Sequence, residues 1–161
     1  MIRHARYEDI DAILSIYTIA KKYMKEQGNH KQWAGEYPNR AILKSDIDKK
    51  ELFVFEKDHQ CHGVFAFIIG IDDTYNIIKE GAWLNEEPYG TIHRIASDGQ
   101  IKGIFKSTLE FCKEQIKNIR IDTHEDNQTM QYLIEKNGFK RCGIIYTHDQ
   151  SERIAYQYIE K

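Results

Sequence analysis

Cysteine and proline are scarce in this chain, long apolar runs and an excess of either charge are missing, and each lack narrows what it can be. Three cysteines among 161 residues, Cys61, Cys112 and Cys142, are too few and too scattered for a disulfide framework or a paired-thiol zinc site. A reducing, cytoplasmic setting is the expectation. The longest purely apolar run, Val64 to Ile69, falls far short of the roughly 20 residues that span a bilayer, and the opening MIRHARYEDID has no apolar signal segment. Secretion and a membrane partner are therefore not expected. Lys and Arg total 23 against 25 Asp and Glu, a formal charge of −2, and no lysine-arginine block stands out. Nucleic acid, which needs clustered cations, is not expected as the main partner. Only two prolines accompany ten tyrosines, seven phenylalanines and two tryptophans, a composition that argues against disorder. With no repeat and no Pro/Gly/Ser-rich linker, residues 1–161 read as one domain.

What is present is a clear alternation of periods. Ile2 to Ala5 predicts a short strand, and Ile10, Ile13, Leu14, Tyr17, Ile19, Ala20 and Met24 recur at helical spacing, with Asp9 or Asp11 as cap and an end by Gly28. After the aromatic connection GNHKQWAGEYP, a second helix is predicted over Asn39 to Lys49, with Pro38 in its first turn. Glu51 to Glu56 and His62 to Gly70 predict a hairpin. The polar excursion DDTYNIIKEGAWLNEEPYG precedes a strand at Thr91 to Ser97, and loops of that length are often functional. A helix from Lys102 to Ile116, a strand at Asn118 to Thr123 and a helix from Asn127 to Lys136 follow, with Asp126 as the expected cap of the last. Phe139 to Thr147 and Arg153 to Ile159 close the chain as a final hairpin. Mixed order with adjacent hairpins implies an α/β fold of α+β layered type. A partly antiparallel central sheet of about seven strands is flanked by four helices.

Two stretches carry chemistry. In His93 to Phe105, HRIASDGQIKGIF, a strand runs through a short turn into a helix, which aims unpaired amides beyond the strand end. Gly103 stands where an anion must approach the backbone and Lys102 adds positive charge, the outline of a pyrophosphate site. A glycine at a helix start is also ordinary punctuation, so this segment alone is a weak signal. Further on come the strand Asn118 to Thr123, then HEDN, then QTMQYLIEKNGF. Gln100-Ile101-Lys102-Gly103-Ile104-Phe105, together with Asn127 and Ile134-Glu135-Lys136-Asn137-Gly138-Phe139, resemble the GNAT superfamily of N-acetyltransferases, and the order of elements resembles that fold over nearly the whole chain.

The resemblance implies acetyl-CoA as the cofactor and direct acetyl transfer to a primary amine of a small molecule, amino acid or peptide terminus. Ile95, Ala96 and Ser97 would lend backbone groups to the pantetheine arm, Gln100, Ile101, Lys102, Gly103 and Ile104 would hold the diphosphate, and Asn127 would bind near the thioester end. Splaying of the strand before the motif away from Ile119 to Thr123 is a further implication, and a homodimer is compatible with the family. The sequence departs from the pattern at Phe105, where relatives have a small residue, in the short loop Ser97 to Gln100, and at Ile134, where many relatives carry a tyrosine. Those departures motivate the alternative of a CoA-binding sensor or interaction module.

Acetyl transfer to an amine needs a base, and histidine titrates in the useful range. His93, two residues before Ile95, is expected on the same strand face as Ile95, either as general base or as a packed strand histidine. Arg94 is expected on the opposite face, paired with an acid such as Asp122. Tyr146 is the hydroxyl candidate for protonating the leaving thiolate; Tyr132 sits about 200° around the helix from Ile134. Asp122, His124, Glu125 and Asp126 lack ligand spacing, so no metal is expected. Trp33, Tyr37 and Trp83, in aromatic segments rich in carboxylates, are the candidate contacts for a cationic acceptor.

Overall fold

The computed structural model describes residues 1–161. Its strands are β1 (Ile2–His4), β2 (Leu52–Lys57), β3 (Gln60–Ile69), β4 (Gly90–Ser97), β5 (Asn118–Thr123), β6 (Lys140–Tyr146) and β7 (Glu152–Ile159). Its helices are α1 (Ile10–Glu26), α2 (Arg40–Asp48), α3 (Ile104–Lys113) and α4 (Gln128–Lys136). All the strands share one sheet, ordered β1-β2-β3-β4-β5-β7-β6, in which only the β4–β5 pair is parallel. This is the mixed α/β layering expected from the element order.

Helix ends differ from expectation where a local hydrogen bond or a backbone angle decides. Asn39 caps α2 by accepting the Ile42 N–H (3.0 Å), which leaves Pro38 outside the helix. Asn127, not Asp126, caps α4 by accepting the Met130 N–H (3.0 Å). Helix α3 starts at Ile104 because Gly103 sits at φ +79°, a left-handed angle that cannot continue a right-handed helix.

One face of the sheet buries Phe65, Phe67, Ile92, Ile119, Ile121 and Tyr156 against Phe105, Leu109 and Ile134 of α3 and α4. The opposite face buries Val54, Val64, Ala66 and Ala96 against Ile13, Ile16, Tyr17 and Leu43 of α1 and α2. No α-helix covers the β5-β7-β6 end of that second face. The excursion between β3 and β4 covers it instead, packing Tyr75 and Tyr89 on Ile145 and Ala155, with Trp83 alongside. The buried Arg120 guanidinium lies between the Trp83 ring (4.0 Å) and the Tyr89 ring (3.9 Å) and donates to the Asn85 carbonyl (3.0 Å). Farther along, Lys79 exchanges two backbone hydrogen bonds with Ile144, each 2.8 Å, so the excursion also closes the outer edge of β6. Trp83→Ala should cost about 2 kcal/mol, less than the roughly 3–5 kcal/mol of a fully buried tryptophan, because its ring is only half-buried. Urea denaturation would show a lower midpoint, while ligand affinity in the cleft described below should stay unchanged.

Strand β4 carries the irregularity that opens the sheet. Its register against β3 runs from His93 opposite Ala66 to Ala96 opposite Val64, so Arg94 and Ile95 together face one residue, Phe65. This is a β-bulge, and Arg94 occupies it at φ +51°. The extra residue reverses the alternation of side chains: Ile92 lies in the α3/α4 core and Ala96 in the α1/α2 core, although strict alternation would put both on one face. Beyond Gly90–Ile119 and Thr91–Arg120, β4 and β5 no longer pair. The splaying implied by the family resemblance is present.

Candidate active site

Two cavities meet along the parted strands. The larger, about 940 Å³, lies between α1, the α1–α2 connection, β4, the end of β5 and α4. The smaller, about 350 Å³, lies between the end of β4, the start of α3 and α4. They share Ile95, Ala96, Ser97, Met130 and Leu133, so one long ligand can occupy both.

At the α3 end, the first helical bond is Ser107 N–H to the Gly103 carbonyl (2.9 Å). The amides of Ile104, Phe105 and Lys106 therefore have no helical acceptor and carry the positive end of the helix dipole. A Cβ on Gly103 would meet nothing within 4 Å, so the turn is an open concavity. Lys106 and Lys136 line the same cavity and add positive charge. The Phe105 ring, 5% exposed, packs into the core against Phe139, and Phe105 also lines this cavity. Ile101, Gly103 and Ile104 line this cavity; Gln100 and Lys102 do not. The Gln100 amide is occupied by Asp98 Oδ1 (2.9 Å), and the other Asp98 oxygen accepts from His62 Nδ1 (2.8 Å).

In the larger cavity, His93 Nε2 donates to Asp72 Oδ2 (2.8 Å). Asp72 Oδ1 accepts the Thr74 N–H (2.9 Å) and hydroxyl (2.6 Å). Burial alone would raise the Asp72 carboxyl, but the hydrogen bonds from His93 and Thr74 outweigh it and hold it at about 2. A carboxylate only accepts, so Nε2 carries a hydrogen, and in the neutral ring the lone pair is then on Nδ1. Tyr75 OH donates to Asp122 Oδ2 (2.6 Å), and burial together with that carboxylate pushes the phenol well above its ordinary range. Arg153 Nε lies 3.9 Å from Asp122 Oδ1.

The bulge changes two expectations about β4. His93 stacks toward Tyr75 on the α1/α2 side of the sheet, whereas Ile95 packs on the α3/α4 core, so the two do not share a face. Arg94 turns toward α2 and pairs with the buried Asp46, not with Asp122, while its Nη1 donates to Tyr37 OH (3.3 Å) and its carbonyl accepts from Tyr17 OH (2.8 Å). Asp46→Ala would leave a largely buried guanidinium without its carboxylate and should destabilise the fold by about 3 kcal/mol. Asp46→Asn, which keeps a hydrogen-bond acceptor, should cost less in the same urea titration.

The remaining expected residues divide cleanly. Trp33 and Tyr37 line the cleft, Trp33 edge-on to Tyr17 at 5.4 Å, whereas Trp83 belongs to the excursion's own cluster. Asn127 lines the cleft while its Oδ1 caps α4. Tyr146 lines neither cavity; its hydroxyl donates to Glu152 (3.3 Å) on the neighbouring strand. Ile134 is fully buried and Tyr132 is 63% exposed, so neither brings chemistry to the cleft. Hydroxyls that do line the cleft include those of Tyr37 and of Tyr23 and Thr129, the last two 3.1 Å apart. His124 is held below its ordinary value by burial and by Arg153, and accepts the Asp126 N–H (3.0 Å). The described chain holds no cluster of three or more His, Cys, Asp or Glu side chains placed to bind a metal.

Sequence reasoning missed Asp72, Gln32 and Arg153. Asp72 had a local signal, the Asx turn it forms with Thr74, but its contact with His93 joins two distant segments.

A parted sheet, an open helix terminus at one end of the gap and a titratable pair at the other make the frame of an acyltransferase. The chain belongs to the GNAT family of acetyltransferases. It is 33% identical to the acetyltransferase of that family from Streptococcus agalactiae, over 100% of this chain and 95% of that one, with a TM-score of 0.91. A GNAT-family acetyltransferase from Listeria monocytogenes, 20% identical over 99% of this chain and 94% of that one, shares the fold with a TM-score of 0.71. So does a ribosomal-protein-alanine N-acetyltransferase from Brucella melitensis, 17% identical over 99% of each chain, with a TM-score of 0.62. No family profile and no curated protein matches the sequence.

Proposed function

We propose that the protein transfers an acetyl group from acetyl-CoA directly to a primary amine. The observation that carries this reading is the continuity of the two cavities, which joins the free α3 amides to the His93–Asp72 pair. The diphosphate fits the open turn at Gly103 and the amides of Ile104 to Lys106, with Lys106 and Lys136 beside it. The pantetheine arm would run along Ile95, Ala96 and Ser97, past Met130 and Leu133. His93 Nδ1 takes the proton that the attacking amine loses, and Asp72 holds the ring in the required tautomer and stabilises the imidazolium. A C–N bond forms, the thioester C–S bond breaks, and the thiolate takes up a proton from water.

The acceptor end is lined by the rings of Trp33, Tyr37 and Tyr23 and by the carboxylates of Asp72 and Asp122. Lys31, Arg94 and Arg153 line the cleft as well, but Arg94 faces Asp46 and Arg153 faces Asp122, and the aromatic faces favour a cationic amine over an anionic substrate. Isotope-labelled acetyl-CoA offered with a panel of small amines, amino acids and peptides tests the reading. Labelled amide product would support it. Tight binding of acetyl-CoA with no transfer to any amine would leave a binding module in place of an enzyme.

A further inference from the structure

The connection between α1 and α2, residues 27–39, crosses the gap in the sheet, and one side chain ties it to the far bank. Gln32 Oε1 accepts from Asn29 Nδ2 (3.0 Å) within the connection, from Asn127 Nδ2 (3.0 Å) at the start of α4 and from Thr123 Oγ1 (3.5 Å) at the end of β5. The Gln32 backbone carbonyl accepts from Arg153 Nη2 (3.2 Å) on β7. The polarity of this cluster is fixed by the backbone. Asn127 Oδ1 is committed to the Met130 N–H, so Asn127 must turn its NH₂ toward Gln32, and Gln32 must answer with its oxygen. Gln32 lines the larger cavity, as do Asn127 and Arg153.

We infer that Gln32 is a positioning residue that latches the α1–α2 connection across the cleft and fixes Asn127, so that the cleft exchanges its ligand only when the latch opens. The inference rests on the acetyltransferase reading for the identity of that ligand, acetyl-CoA, but the latch itself is a property of the free protein. Breaking the hydrogen bonds to Oε1 should raise the open fraction about tenfold, the effect of losing one to two net hydrogen bonds.

Gln32→Leu and Gln32→Glu separate the latch from simple packing. Leucine removes the oxygen, whereas glutamate still offers one to the same three donors, with Arg153 beside it to offset the charge. Hydrogen exchange of the non-proline amides of residues 27–39 in the ligand-free protein should quicken about tenfold in Gln32→Leu and stay near wild type in Gln32→Glu. Acetyl-CoA dissociation, followed by stopped-flow displacement with excess CoA, should quicken in the same proportion and in the leucine variant alone. Equal exchange in Gln32→Leu and wild type would overturn the latch, as would a Gln32→Glu variant as fast as Gln32→Leu. Faster exchange with unchanged dissociation would overturn the link to ligand release. A wild-type protein that binds no acetyl-CoA yet shows the expected exchange pattern would remove the acetyltransferase reading and support the latch.

Discussion

Gly103→Asp is expected to weaken acetyl-CoA binding about a hundredfold while the sheet remains folded. Gly103 stands at φ +79° with open space where a Cβ would go, so the side chain has room but must enter the concavity in front of the α3 amides. A carboxylate there meets the diphosphate at close range and competes for the same N–H groups of Ile104 to Lys106, and two such effects of about 1.4 kcal/mol each make the hundredfold loss. Gly103→Ala provides the control. It pays a backbone cost of about 1 kcal/mol for a non-glycine residue at positive φ, without adding charge. Calorimetric titration with acetyl-CoA and with CoA should therefore show a large loss for aspartate, a small one for alanine, and similar thermal midpoints for the two variants. Unchanged affinity in Gly103→Asp would place the ligand elsewhere.

His93→Ala is expected to lower kcat at neutral pH by a factor of about 10² to 10³, the usual contribution of a positioned general base. The deficit should shrink as pH rises toward 10, where free amine is abundant and a base is no longer needed. A loss that stayed uniform across pH would mean that His93 packs and does not take the proton. Asp72→Asn should cost less, about tenfold, since the amide still accepts from Nε2 but no longer stabilises an imidazolium. The sign of the acid dependence follows from the same pair. The folded Asp72 carboxyl, at about 2, lies below its ordinary 3.8, so its hydrogen bonds stabilise the fold fully above about pH 4 and lose that contribution as pH falls toward 2. Loss of activity between pH 7 and 5 would thus not come from protonation of Asp72.

The order of elements was legible because most segments keep one period: β5 lies at Asn118–Thr123, as its alternation predicts, and the α3 turn lies at the glycine that the motif marked. The faces of β4 were not legible, since a bulge leaves no trace in composition, and one inserted residue put His93 and Ile95 on opposite sides. The chemistry of Trp83 and Tyr146 suits a site, but an aromatic ring that stacks on Arg120 and a phenol bonded to Glu152 look no different in sequence from ones that meet a substrate. Asp72 and Gln32 escaped for another reason. Their partners lie 21 and 95 residues away, distances over which no local period carries information.

The excursion that covers the second face of the sheet also sets an order of events during synthesis. It leaves the ribosome well before β6 and β7, yet Tyr75 and Tyr89 have their binding surface on Ile145 and Ala155, and Lys79 has its backbone partner at Ile144. Until the last hairpin emerges, the excursion can meet side chains of β5 such as Arg120 and Asp122, but the apolar surface that buries its rings is still missing. Apolar surface left uncovered in that interval is the kind that favours self-association over folding.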